Sequence, residues 1–257
     1  MSILFDSPVF GPVHSRRLGV SLGINLLPAD GKICSFDCVY CECGYNLPHR
    51  TRTPFPTREE VADSLRRQLQ HMQEQGDALD VITFAGNGEP TLHPQFLGII
   101  QDTVALRDEF FPTARVSVLT NGAHICRDDV FEALLLVDNN IVKLDTACPD
   151  YIRRINRPNS AYNMEQTIER MREFRGHCIV QTIFMQGEHD GMDVSNLSDE
   201  YVEPWLNAVQ RIRPQEVMVY TIDRDTPSPL LRKATPAQLD AIAERVRQLG
   251  IAVQVSY

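Results

Sequence analysis

No stretch of this 257-residue chain approaches the ~20 consecutive apolar residues of a membrane span. The opening MSILFDSPVF has neither a basic n-region nor an apolar h-region, so no secretory leader is expected. The chain carries no internal repeat and no low-complexity tract. Positive charge is scarce: 25 Lys and Arg stand against 34 Asp and Glu, a net charge of −9. Such a chain is a poor general ligand for a phosphate backbone, although a local basic patch stays open to it. The expectation is a cytoplasmic protein with no membrane partner, in which nucleic acid is a lesser possibility than a small molecule or peptide. What is present has the ordinary globular balance, 43% hydrophobic and 23% charged residues. A chain of this length buries roughly 70–75% of its unfolded surface and needs no disulfide to stay folded. Its seven cysteines are odd in number, and three crowd at Cys34, Cys38 and Cys41. In a cytosolic chain that pattern reads as a metal or redox site rather than a disulfide framework.

Short runs rich in Val, Ile and Thr, each ending in polar residues or Gly, predict strands over 20–27, 80–85, 115–120, 140–145, 178–185 and 216–222. Helical patterns fall between them. Thr57 with Glu60 predicts a capping box, and Val61, Leu65, Leu69 and Met72 follow at helical spacing. Further helices are predicted over 94–110, 128–137, 162–174, 200–212 and 236–249, with Pro94 and Pro236 suited to first turns and Gly250 to a stop. Six β-then-α units imply parallel strands joined by right-handed crossovers. The expected fold is a single α/β domain over 1–257, a partial (β/α)6 barrel at about 20–222 with a C-terminal helix and short tail at 236–257. A doubly wound open sheet is the competing architecture. In both, chemistry belongs at the C-terminal ends of the strands.

The informative residues do follow the strands. After the first comes Cys34-Ser-Phe-Asp-Cys38-Val-Tyr-Cys41, a loop over 34–41. Three thiolates on one loop can bind one face of an iron–sulfur cluster, and a [4Fe–4S] cubane so held keeps one iron open. A structural zinc site using Cys34, Cys38, Cys41 and Cys43 is the plainer alternative. Cys43 reads as a bystander thiol, Cys126, Cys148 and Cys178 are scattered singly, and the lack of a second CxxC predicts no auxiliary cluster. The next strand runs into Gly86-Asn-Gly88-Glu89-Pro90, where glycines admit close backbone approach and Glu89 offers an anionic acceptor. Asn121 ends the third strand, Lys143 and Asp145 can share a face of the fourth, and Gln181 lies within the fifth.

The CxxxCxxC spacing, with an aromatic before the last Cys, resembles the radical SAM superfamily. The resemblance implies that Cys34, Cys38 and Cys41 hold a [4Fe–4S] cluster whose open iron takes the amino and carboxylate groups of S-adenosylmethionine (SAM). One electron, from a donor such as flavodoxin or ferredoxin, then releases a 5′-deoxyadenosyl radical. It places Tyr40 near the adenine and likens Gly86, Gly88 and Glu89 to the superfamily's GGE-type motif, which binds the methionine amino group. It makes Asn121, Lys143, Asp145 and Gln181 candidates for the remaining SAM contacts, with backbone groups at 219–221 near the adenine. The runs Gly11-Pro-Val-His-Ser-Arg-Arg-Leu-Gly19, Ser21-Leu-Gly-Ile-Asn25 and Ile155-Asn-Arg-Pro158 resemble a branch described as wyosine-synthase-like iron–sulfur oxidoreductases. The chain has no obvious added segment to grip tRNA. Its cations, His14, Arg16, Arg17, Arg50, Arg52, Arg153, Arg154 and Arg157, flank predicted strands and could gather at the barrel mouth to bind carboxylate or phosphate, although Asp37, Glu42, Asp145 and Asp150 could simply neutralise them. Arg16, Arg17, Arg153, Arg154 and Arg157 are the substrate candidates. The expected activity is radical modification of an anionic small molecule or peptide. The alternatives are tRNA base modification of the wyosine type, a glycyl-radical activating enzyme, and a non-catalytic zinc-binding module.

Overall fold

A computed structural model describes residues 4–5, 8–15, 19–47 and 51–257. Arg16, Arg17 and Arg50 lie outside the described residues. The strands are β1 (Val9–Ser15), β2 (Gly19–Ile24), β3 (Val81–Phe84), β4 (Arg115–Thr120), β5 (Asn139–Lys143), β6 (Ile179–Ile183), β7 (Met185–His189), β8 (Met192–Asp193), β9 (Glu216–Tyr220), β10 (Leu231–Lys233) and β11 (Ala252–Ser256). The helices are α1 (Arg58–Gln75), α2 (Phe96–Phe110), α3 (Asp128–Leu136), α4 (Pro149–Ile155), α5 (Met164–Glu173), α6 (Asp199–Ile212) and α7 (Pro236–Gln248). Among the described residues no helix is long and apolar enough to cross a membrane.

The six expected strands are β2, β3, β4, β5, β6 and β9, and they pair in parallel in that order. Strand order never reverses, so there is no switch point of the kind a doubly wound sheet contains. Crossovers of one hand then stack the helices on one face and leave the other as a lumen, which is the single-wound, partial barrel. The sheet's ends are β1, antiparallel to β2, and β11, parallel to β9, and among the described residues these ends do not pair. The barrel is open between them.

Period-2 alternation sorts each strand's side chains between these faces. Ile82, Phe84, Val116, Val118, Val142, Val180, Val217 and Val219 join the large core beneath the helices. The helical stripe Val61, Leu65, Leu69 and Met72 of α1 enters that core, its start fixed by the expected box, with Thr57 N donating to Glu60 Oε2 at 2.7 Å and Glu60 N to Thr57 Oγ1 at 3.2 Å. Facing the lumen, Ser21 with Thr83, and Ser117 with Asn139, form polar pairs at the N-terminal end. Leu119, Ile141, Ile179 and Met218 form an apolar waist. Lys143, Gln181 and Tyr220 follow two residues on along their strands, at the C-terminal end.

Several elements depart from the expected pattern. The segment 9–15 is a strand despite Gly11 and Pro12, because an edge position with an irregular register there tolerates both. The tail forms β11, with Val253 and Val255 packed on the core. The predicted strand 178–185 breaks at Phe184, and β7 turns away to pair with β8 and β10 in a separate three-stranded sheet. Helix α4 was not anticipated: Pro149 starts it, and at seven residues it is too short for a clear periodic stripe.

Candidate active site

The cysteine loop is held from several directions. Asn46 accepts from Cys34 N through Oδ1 at 2.8 Å, and its Nδ2 donates to Phe36 O at 3.1 Å. From α4 onward, Ile155 O accepts from Val39 N at 2.9 Å, Asn156 O from Asp37 N at 2.9 Å, and Ser35 O from Asn159 N at 3.0 Å. Asn159 Nδ2 adds a bond to Cys34 O at 2.7 Å. Two of the ligand-candidate sulfurs have a side-chain donor: Asn121 Nδ2 lies 3.4 Å from Cys34 Sγ and Asn156 Nδ2 lies 3.5 Å from Cys38 Sγ. The Cys43 thiol, close to Cys41 in the chain, donates to Gly86 O at 3.2 Å.

The charge at this loop is supplied by Lys32, whose side chain is 1% exposed and reaches Gly44 O at 2.8 Å and Asp37 Oδ1 at 3.5 Å. Burial pulls its pKa down, but Cys41, Cys34, Cys38 and Asp37 together outweigh that and raise it, so Lys32 stays a cation. Burial pushes Cys34 up to about 12 and Cys38 up to about 11. The neighbouring Cys43 thiol lowers Cys41 and is itself raised.

The Gly86–Glu89 turn packs directly behind the loop. Ile33 N donates to Asn87 O at 2.9 Å and Glu89 N to Ile33 O at 3.1 Å. Gly88 has φ 136°, and a Cβ there would fall 1.8 Å from Ile33 O, so only glycine permits this approach. Glu89 is 2% exposed. Its Oε1 accepts from Thr91 N at 3.2 Å, Thr91 Oγ1 at 2.6 Å and Thr120 Oγ1 at 2.6 Å, and its Oε2 from Asn121 N at 2.8 Å. The carboxylate thereby ties the end of β4 to the turn after β3.

Tyr40 meets Lys143 and Asp145, which the sequence placed on one face of the fourth strand. Tyr40 Oη donates to Asp145 Oδ2, and Lys143 Nζ lies 3.3 Å from the same phenol, with its charge 4.7 Å from the Tyr40 ring and 5.6 Å from the Tyr220 ring. Burial, then the Asp145 charge, raises the Tyr40 pKa and keeps the phenol protonated. Asp145 Oδ1 accepts from Ile183 N at 3.2 Å, and Asn156 Nδ2 reaches Asp145 Oδ2 at 2.7 Å. Gln181 pairs in register with Lys143. A cavity of about 20 Å³ lies among Cys38, Tyr40, Asn121, Lys143, Asp145 and Asn156.

The arginines are less united. Arg153 is paired with Asp150 on the surface. Arg154 Nη2 donates to Tyr201 Oη at 3.2 Å, and Arg157 lies over the Tyr45 ring at 5.2 Å, beside the cysteine loop. Exposed Arg52 meets Asp30 through its backbone, and His14 is exposed on β1. Lys32, Asn46 and Asn156 were not singled out from the sequence. Only Asn156 had a signal, as part of the Ile155–Pro158 run.

Among the described residues, no three His, Cys, Asp or Glu side chains are gathered to hold a metal ion. A cubane asks for a different arrangement, because its three thiolates sit on three separate irons. The donor set matches that need: three cysteines on one short loop, amide donors to two of the sulfurs, and a buried cation beside them.

Residues 30–197 match the radical SAM superfamily. The chain is 35% identical over 232 residues to a UPF0026 protein of Synechocystis sp., covering 88% of this chain and 78% of that one. It is 34% identical over 181 residues to a UPF0026 protein of Methanocaldococcus jannaschii, covering 68% and 53%. A GTPase Obg of Brachyspira hyodysenteriae is 30% identical over 222 residues, 85% of this chain and 30% of that one, so the chain spans a third to a half of two of these relatives. Among solved structures, a radical SAM methyltransferase from Sphaerobacter thermophilus aligns with TM-score 0.66 at 17% identity, covering 92% of this chain and 66% of that one. Archaeal TYW1 aligns with TM-score 0.52 at 10% identity, covering 89% and 71%. The chain therefore belongs to the radical SAM superfamily, a superfamily of enzymes. Within it, the likeness to TYW1 is one among several, and the wyosine-synthase-like branch finds no particular support.

Proposed function

We propose that this chain uses Cys34, Cys38 and Cys41 to hold a [4Fe–4S] cluster with one open iron, binds SAM against it, and modifies an anionic small molecule or peptide by radical chemistry. The observation that carries the reading is the cysteine loop itself, set at the strand ends with amide donors to two of its sulfurs and the buried Lys32 beside it. When bound, the two cofactors supply a 5′-deoxyadenosyl radical by one-electron cleavage of the sulfonium. The chain's residues supply position and shielding. Lys32 offsets the negative charge of the thiolates. Glu89 fixes Asn121 by its backbone, and Gly86 and Gly88 shape the turn that would take the methionine end. Tyr40, locked by Asp145 and Asn156, would offer its ring to the adenine. Lys143 and Gln181 bring a cation and an amide to the lumen, where a carboxylate or phosphate finds donors.

The electron donor is of the flavodoxin or ferredoxin class, and the expected location is the cytoplasm. The test is anaerobic reconstitution with iron and sulfide, followed by reduction in the presence of SAM. Formation of 5′-deoxyadenosine, lost in Cys38→Ala, supports the reading. A protein that binds zinc in place of a cubane and never yields 5′-deoxyadenosine refutes it and restores the zinc-module alternative.

A further inference from the structure

The stretch Ile155–Asn159 runs alongside the cysteine loop as a splint. It takes or gives backbone hydrogen bonds at Ser35, Asp37 and Val39, bridges Phe36 through Pro158, and bonds Cys34 O through the Asn159 side chain. The loop's shape thus depends on a segment more than a hundred residues away in sequence. At the centre of the splint, Asn156 is 3% exposed, and its Nδ2 faces three acceptors: Asp145 Oδ2 at 2.7 Å, Tyr40 Oη at 3.1 Å and Cys38 Sγ at 3.5 Å. Its Oδ1 is buried without a hydrogen-bond partner. A buried amide that leaves its oxygen unsatisfied is held where it is by what its nitrogen does. Here the nitrogen joins the sulfur expected to carry one iron to the phenol and carboxylate at the lumen.

Resting on the proposed cluster, we propose that Asn156 is a positioning residue that tunes it: its amide withdraws electron density from the Cys38 sulfur while fixing the Tyr40–Asp145 pair. A hydrogen bond to a ligand sulfur stabilises the more electron-rich, reduced state of a cluster, and outer-shell donors of this kind are levers on the reduction potential. Asn121 acts similarly on Cys34 but also caps the turn at Ala123 and takes its backbone position from Glu89, so its replacement disturbs more than a sulfur. Asn156 is therefore the cleaner handle.

The experiment is a redox titration of the reconstituted protein followed by electron paramagnetic resonance, without SAM and without any substrate. Asn156→Leu keeps the side chain's approximate volume and removes the donor. Asn156→Ala also removes the donor without adding charge, and serves if the leucine variant does not fold. Each is expected to load iron and sulfide as the wild type does and to show a midpoint potential shifted to more negative values. A fully loaded variant with an unmoved midpoint overturns the inference. So does loss of the cluster in both variants with their circular dichroism intact, because that makes Asn156 a folding element of the loop alone. A wild-type protein that takes up no cubane overturns the functional reading itself, which keeps the two failures distinct.

Discussion

Replacing Glu89 with Gln separates two roles that the same residue could play. The change keeps the shape and removes the charge. In the structure, the carboxylate accepts from Thr91 N, Thr91 Oγ1, Thr120 Oγ1 and Asn121 N, all buried. The best that Gln can do is to turn its oxygen toward Asn121 N and its amide toward the two threonines. Both hydroxyls can rotate to accept, because a hydroxyl is donor and acceptor. The Thr91 N–H cannot rotate, and it loses its acceptor. A hydrogen bond to a charged group contributes about 1.5–3 kcal/mol, and a buried donor left unpaired costs a comparable amount. For a domain of this size each kcal/mol moves the melting temperature by about 2–4 °C. Glu89→Gln should therefore lower the melting temperature of the cofactor-free protein by about 4–8 °C, for a loss of about 2 kcal/mol. Calorimetry or thermal circular dichroism on apoprotein measures it. An apoprotein melting within a degree or so of wild type, combined with a tenfold to hundredfold loss of SAM affinity, would refute this reasoning and make the cofactor the main partner of the carboxylate.

Other outcomes follow from the same geometry. Ala at Cys34, Cys38 or Cys41 should abolish iron loading, whereas Cys43→Ala should retain the cluster by iron and sulfide analysis, since the Cys43 thiol is already engaged with Gly86 O. His93 is 1% exposed, accepts at Nδ1 from Gln95 N and so donates from Nε2 to Pro56 O, and burial lowers its pKa below 6.5. The unfolded chain then binds the proton more readily, so stability is intact above about pH 6.5 and falls as pH drops through that window toward the lowered folded value. Denaturant midpoints measured from pH 7 to pH 5 should decline, and less steeply in His93→Gln. Bulk tRNA should bind weakly, given a net charge of −9 and Arg153 already paired with Asp150. Submicromolar binding that falls by roughly 10³–10⁵ between 50 and 200 mM salt would favour a tRNA substrate instead.

What could be read in the sequence was local or periodic. The α1 capping box involves residues three apart, and the parallel strands announce themselves by apolar runs that recur between helices. Edge elements were harder. In β1, Gly11 and Pro12 carry a loop signal that only an edge position overrides, and nothing local reveals that position. The turn of the chain at Phe184, where β6 ends and β7 leaves the sheet, is set by Asn196, whose Oδ1 accepts from Met185 N at 2.9 Å and whose Nδ2 donates to Ile183 O at 2.8 Å. A strand end fixed by a side chain more than ten residues away leaves no periodic trace.

The same distinction runs through the candidate site. Cysteines spaced four and three apart carry their chemistry in the spacing. Lys32 does not, because a lysine in a polar loop reads as a surface charge. It becomes a buried cation only when Gly44 O and Asp37, brought round by the loop, meet its ammonium. Glu89 was legible as a carboxylate at a strand end, but its four donors come from residues two and about thirty positions on. Asn156 depends on three acceptors from two stretches of chain, the cysteine loop and the residues just after β5. A partial barrel makes such meetings routine, since every strand delivers its last residues to one rim. The residue types that hold cofactors can therefore be picked out along the chain, whereas the neutral amides and lone cations that hold those residues in place are defined only by the rim on which they meet.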